Sequence, residues 1–251
     1  MSPLLSCGNG LLVHILTLEG YAGAGIDVRA RQSWATYDAE TQSRLHVAAV
    51  DPTSSLVDST EPWWQPGAFL VANHADELTP WTPVLATTRD ASGYLSIPCC
   101  AWAFDERFQR EAKHATYGPW SFLFDNLRLT EREHSNQEDE EAMFVKNLGL
   151  GGDANATASG YSAYRIWLAK LALACGWNVE CETLRIPSTR NWAILGQPSI
   201  MLSCFVFYIV VGRERIGGKK PTDEKMERLI RTVQNRGLFK TRRPEGKAGD
   251  H

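Results

Sequence analysis

Three short stretches and two single residues of this chain are of types that do chemistry. Near the start, Cys7, Gly8, Asn9 and Gly10 (CGNG) lead directly into an apolar helical pattern. Glycines at such a turn let the main chain approach a ligand, and the helix that follows offers free N–H groups. Asp27 stands about 20 residues on, the place of an acid that accepts hydrogen bonds from the ribose of an adenosine. The stretch NHADEL concentrates Asn73, His74, Asp76 and Glu77, groups that position a substrate or take a proton. Its alternative is structural, with Asp76 and Glu77 capping a helix that starts near Leu78. Pro98-Cys99 has the form of a nucleophile that adds covalently to a base. Arg190 is a cation suited to a phosphate, with a solvated loop charge as the alternative.

The glycine spacing narrows the cofactor. A dinucleotide fingerprint needs a third glycine, and Val13 occupies that position. S-adenosyl-L-methionine has no phosphates, and class I methyltransferases use a shorter glycine loop. NHADEL follows the fourth expected strand, where a methyl group would sit. In cytosine-C5 methyltransferases the Pro-Cys pair holds that position, so Cys99 and Cys100 here read as apolar strand residues.

The elements that must position these groups alternate. Leu11 to Leu18 reads as a helix closed by Gly20, and Tyr21 to Val28 as a buried parallel strand. Residues 29–40 are expected to be helical, and 41–66 to be a weakly structured connection. AFLVAN is a strand, HADELTPWTPVLATTR turns into a helix, and Tyr94 to Cys100 is another strand. From Asp105 to Ser159 charged runs interrupt the pattern and suggest a surface insertion. YSAYRIWLAKLALACGW is then a helix, on which Tyr161, Tyr164 and Trp167 form a core stripe, and NVECETLRI is a strand. His14, on the first helix, is expected to be structural. Ile200 to Val211 is apolar but well short of the roughly 20 residues of a membrane span, and suits a buried strand. Strands alternating with helices make a Rossmann-like α/β sheet. The expected organisation is a methyltransferase domain over 1–212, carrying an insertion over about 105–159, and a basic C-terminal tail over 213–251. Between Arg213 and Lys247 twelve Lys or Arg face five acids, so this tail is an RNA contact or a solvated helix.

Only MSPLLS precedes the glycine loop, and Pro3 lacks an amide donor. The first strand is therefore expected to be shortened and to pair over one short segment at most. A mobile loop and weak or absent S-adenosylmethionine binding would follow.

Composition sets outer bounds. The chain has 251 residues, 43% of them hydrophobic, with nine Trp and a net charge of −3, so it is not a general nucleic-acid glue. Six Cys occur without a C-x-x-C pair, and the His residues lack zinc-finger spacing, so no metal site is expected. Scattered Cys read as reduced thiols of the cytosol or nucleus, and the N-terminus lacks the features of a signal peptide. The expectation is a cytoplasmic protein.

The strings CGNGLLVHIL, GIDVRARQSW, NHADELTPW, IPCC, YRIWLAKLALACGW and LRIPSTRNWAILG together resemble the eukaryotic tRNA (uracil-2′-O-)-methyltransferase family. The resemblance covers most of Cys7 to Gly196. It implies a class I S-adenosylmethionine-dependent fold and methylation of a uridine ribose just before the variable arm of serine tRNA. By position it implies that Cys7, Gly8, Asn9 and Gly10 line the methionine and ribose side of the cofactor. Asp27 would hold the ribose, and Asn73 to Glu77 would face the adenine or the methyl group. His74, Asp76 and Glu77 are candidates for the general base, and Arg190 for a phosphate contact. The chain departs from the family where D-x-G-C-G-N-G is expected, since Leu5 and Ser6 precede Cys7 and no acid does. The Ile200 to Val211 run also differs. A non-catalytic protein that binds tRNA or a partner on a degenerate methyltransferase fold is the alternative.

Overall fold

A computed structural model describes residues 2–54, 63–109, 118–125, 127, 137–149, 160–188, 190–198 and 223–242. In chain order the elements begin β1 (Ser2–Leu5), α1 (Leu11–Leu18), β2 (Gly23–Asp27), α2 (Ala39–Ser43), β3 (Leu45–Val47) and β4 (Phe69–Asn73). They continue with α3 (Trp81–Thr88), β5 (Gly93–Ile97), the small hairpin β6 (Trp102–Ala103) and β7 (Glu106–Arg107), and α4 (Gln137–Asn147). The last are α5 (Gly160–Ala174), β8 (Trp177–Thr183), β9 (Trp192–Pro198) and α6 (Asp223–Arg236).

Seven strands form one sheet in the order β3-β2-β1-β4-β5-β9-β8. The pairs from β3 to β5 are all parallel, and β9 runs antiparallel between β5 and β8. This is a Rossmann-like class I methyltransferase sheet, with its topological switch point between β1 and β4. Side chains alternate across it: Leu5 enters the large core with Leu70, Trp81 and Leu171, while Leu4 joins a smaller cluster with Val13 and Trp34. Both faces are therefore covered, α1 on one side and α3 with α5 on the other.

The expectation for β1 needs correction. The strand has four residues and pairs on both sides, with β2 from Ser2 to Leu5 and with β4 at Leu4 and Leu5. In a parallel ladder successive residues address opposite neighbours. Ser2 donates toward β2, to the Ala22 carbonyl at 3.1 Å, so Pro3 faces β4. Pairing with β4 begins only at Leu4, so the missing proline donor falls where no ladder bond is needed. Leu4 and Leu5, 4% and 0% exposed, anchor the short strand in the two cores.

Other elements also depart from expectation. Residues 29–40 hold a 3-10 turn over Gln32–Thr36 and the start of α2 instead of one helix. The 41–66 connection contains β3, whose three residues are too few for a readable period. The described parts of the 105–159 region are not only surface, because Trp120, Phe122, Leu123, Phe144 and Leu148 enter the large core. So does the apolar face of α6, through Met226, Leu229, Ile230 and Val233. Packing thus carries α6, beyond residue 212, into the body of the fold. Tyr164 and Trp167 lie in the core at 0% and 3% exposure, as the stripe implied. His14 stacks on Tyr37, with ring centroids 4.5 Å apart. The Ile200 to Val211 expectation lies outside the described residues. No helix among the described residues is long and apolar enough to cross a membrane.

Candidate active site

The carboxyl ends of β1, β2 and β4 open onto a cleft of about 350 Å³, in the range of small-molecule sites. Cys7, Gly8, Asn9, Asp27, Asn73, His74, Asp76 and Glu77 all line it. Three loops at a sheet switch point thus bring together most of the residues singled out in the sequence.

The glycine loop is tied down from several directions. The Cys7 amide donates to the Ile26 carbonyl at 3.0 Å, and the Gly8 amide to Asp27 Oδ2 at 2.8 Å. Trp34 Nε1 donates to the Gly8 carbonyl, while Ser33 and Tyr37 hydroxyls donate to that of Asn9. Asn9 Oδ1 receives the Leu11 amide at the entry to α1. Gly8 has φ +57 and open space where a Cβ would stand, so main chain is bare to the cleft there.

Two members of CGNG have other jobs. Gly10 does not line the cleft; its left-handed φ of +79 starts α1, and a Cβ there would lie 3.2 Å from Trp34 and Leu45. The Cys7 side chain is 7% exposed and packs in the small core against Gly25. Burial, with the charge of Asp27, pushes its thiol up to about 12. What Cys7 offers the cleft is chiefly its main chain.

Asp27 suits the ribose. It is 7% exposed, and its oxygens accept the amides of Gly8 and, at 3.2 Å, Arg29. An ionised carboxylate has about four acceptor positions, so capacity remains for two hydroxyls. On this observation the residues present fit S-adenosylmethionine: Asp27 has acceptor capacity to spare, and the loop main chain lies bare at Gly8.

Around the cleft the backbone is strained on both sides. Ser6, His74 and Asp76 line the cleft with φ of 55, 56 and 47, three of the five non-glycine residues with positive φ among those described. Such conformations cluster where side chains must be aimed. Neither Asp76 nor Glu77 caps a helix: the 3-10 turn over Asp76–Leu78 and α3 both lack a side-chain cap. Instead Glu77 meets Arg242 through both oxygens, at 2.6 Å each. Asp76 gives Oδ2 to Arg242 at 3.3 Å and Oδ1 to the Cys99 thiol at 3.3 Å. Burial alone would raise the Asp76 carboxyl, but the Cys99 and Cys100 thiols and the Arg242 charge outweigh it and hold it below the usual range.

Arg242 and Phe239, which also line the cleft, were not singled out in the sequence. Only the basic surplus after Arg213 hinted at them. They arrive because Phe239 sits on Trp81, with ring centroids 5.9 Å apart, and Thr241 donates to Asp51 at 2.8 Å.

Cys99 and Cys100 lie beyond the end of β5 rather than in a strand, half-buried. Burial and the neighbouring carboxylate push the Cys99 thiol up to about 12, which denies it the thiolate of a covalent nucleophile. Arg190 does not line the cleft. Its guanidinium lies 3.9 Å over the Tyr161 ring, whose hydroxyl donates to the Pro98 carbonyl at 2.9 Å, next to Cys99.

Comparison with known proteins agrees with this geometry. A family described as "Predicted AdoMet-dependent methyltransferase" matches residues 3–52, which include most of β1, the glycine loop and Asp27. The tRNA (uracil-O(2)-)-methyltransferase of Neurospora crassa is 33% identical over 77% of this chain and 35% of its own length. That of Schizosaccharomyces pombe is 32% identical over the same shares. A human protein named probable tRNA (uracil-O(2)-)-methyltransferase is 32% identical over 77% of this chain and 19% of its own. No solved structure gives a significant match. The chain spans about a third of the length of the fungal relatives. Over about three quarters of its length the chain is thus similar to tRNA (uracil-O(2)-)-methyltransferases, and its sheet is that of an AdoMet-dependent methyltransferase.

Proposed function

We propose that this chain methylates the 2′-oxygen of a uridine ribose in tRNA, serine tRNA by family resemblance, in a cytoplasmic setting suited to its free thiols. The observation that carries the reading is the convergence of CGNG, Asp27 and NHADEL on one cleft at the switch point of the sheet. When bound, S-adenosylmethionine supplies a methyl group on a sulfonium, a good leaving group. The protein's part is then mostly alignment and proton removal. Asp27 and the main chain of Cys7, Gly8 and Asn9 hold the cofactor, with Asn73 on the facing wall.

Among the base candidates the committed hydrogen bonds favour His74. Both Glu77 oxygens are on Arg242, and the Asp76 oxygens are divided between Arg242 and Cys99. His74 is exposed and lines the cleft. Arg190, stacked over the Tyr161 ring outside the cleft lining, is assigned a phosphate beside the target nucleotide.

The test pairs cofactor calorimetry with methyl transfer to tRNA. A 2′-deoxyuridine at the target should give no product, because the nucleophile is gone. His74→Gln should lower the rate about 100-fold or more while leaving cofactor affinity alone. Methylation of the deoxy substrate would overturn the reading. The Arg242 clamp favours a second reading, a non-catalytic protein that binds tRNA or a partner. Tight tRNA binding with no transfer in any condition would select it.

A further inference from the structure

We propose that Asp76, Cys99 and Cys100 form a zinc-binding site beside the cleft. One carboxylate oxygen and two sulfurs lie within 4.8 Å of one another, and all three residues are half-buried. They come from the two loops that leave the paired parallel strands β4 and β5 at their carboxyl ends, so the sheet itself sets their separation. Two soft sulfurs and one carboxylate oxygen are a zinc donor set, and three protein ligands leave a tetrahedral ion one open position.

The surroundings support a metal beyond the mere proximity of three side chains. Asp76 holds a left-handed φ of 47, which is costly outside glycine and aims both its amide and its carboxylate at one place. That amide and the carboxylate both meet Cys99 Sγ, so the loop brings the Asp76 and Cys99 donor atoms together. The remaining Asp76 oxygen meets Arg242 at 3.3 Å, the kind of outer partner that orients a ligating carboxylate. Sequence spacing conceals the site, because Asp76 and Cys99 are 23 residues apart.

The test does not depend on methyl transfer, so its failure is separate from failure of the proposed activity. The full chain is purified without chelators and its zinc is measured by elemental analysis. Cysteine alkylation by iodoacetamide is then followed peptide by peptide, with and without added zinc. About one zinc per chain is expected, lost in Cys99→Ser and Cys100→Ser, with Cys99 and Cys100 shielded by the ion in the wild type. Should either variant fail to fold, the wild-type shielding decides. Absence of zinc uptake, alkylation of both cysteines at equal rates with and without zinc, or full zinc retention by both variants overturns the proposal.

Discussion

Replacement of Asp27 tests its hold on the glycine loop separately from the cofactor role proposed for it. Its oxygens accept main-chain amides from Gly8 at 2.8 Å and Arg29 at 3.2 Å, at a residue 7% exposed. Hydrogen bonds to a charged group contribute about 1.5–3 kcal/mol each. The longer Arg29 contact sits at the weak end, and water replaces part of what is lost. Asp27→Ala should therefore cost about 2–3 kcal/mol of folding stability. It should also weaken S-adenosylmethionine binding by about 1.5–3 kcal/mol, or roughly 10- to 150-fold in Kd. Asp27→Asn keeps one acceptor oxygen and the packing volume but turns an N–H donor toward an amide. It should fold better than the alanine variant and still lose most of the affinity. Calorimetric titration with the cofactor reads the binding, and urea unfolding of the same samples reads the stability. A folded Asp27→Asn protein with wild-type Kd would remove the residue from the cofactor site. A wild-type urea midpoint for Asp27→Ala would show that the loop is held without it.

Gly196→Ala should destabilise the sheet by about 1–3 kcal/mol or more, because its Cβ would lie 2.0 Å from the buried Tyr94 ring. Urea unfolding checks this, and an unperturbed midpoint would mean that the β5–β9 contact is looser than described. Arg236→Gln should cost about 3 kcal/mol, since Asp105 is wholly buried and depends on Arg236 at 2.7 Å. A loss below about 0.5 kcal/mol would show that the pair is screened like a surface contact. Burial alone would raise the Asp51 carboxyl, but hydrogen bonds from Thr53 and Thr241 hold it below its ordinary 3.8. A depressed folded pKa contributes stability above about pH 4 that is lost as pH falls through the folded value. Thr241→Val should therefore be most destabilised relative to wild type near pH 7, with the gap narrowing toward pH 3; a gap that is constant or widens on acidification contradicts this linkage.

Local patterns were legible in the chain itself. The helix at Leu11 to Leu18 and the strands at AFLVAN and around Gly23–Asp27 follow from periodicity and glycine punctuation, which act over a few residues. The glycine loop, Asp27 and NHADEL were legible for the same reason: their chemistry lies in adjacent residues or a fixed spacing. The resemblance to the methyltransferase family rested on those strings together with IPCC, YRIWLAKLALACGW and LRIPSTRNWAILG. Tertiary structure decided what depends on long separations. It seated β1 between two neighbours, so that four residues suffice and Pro3 loses no ladder bond. It turned the Cys7 side chain into the core, leaving its main chain to the cleft, and used Gly10 to pack the helix start on Trp34. It also inserted β9 antiparallel into the sheet, and carried Arg242 across 166 residues to Asp76. A charge pair or thiol–carboxylate contact at such separation leaves no period in the sequence. Its formation depends on where packed strands and α6 deliver their loops, which only the assembled core determines.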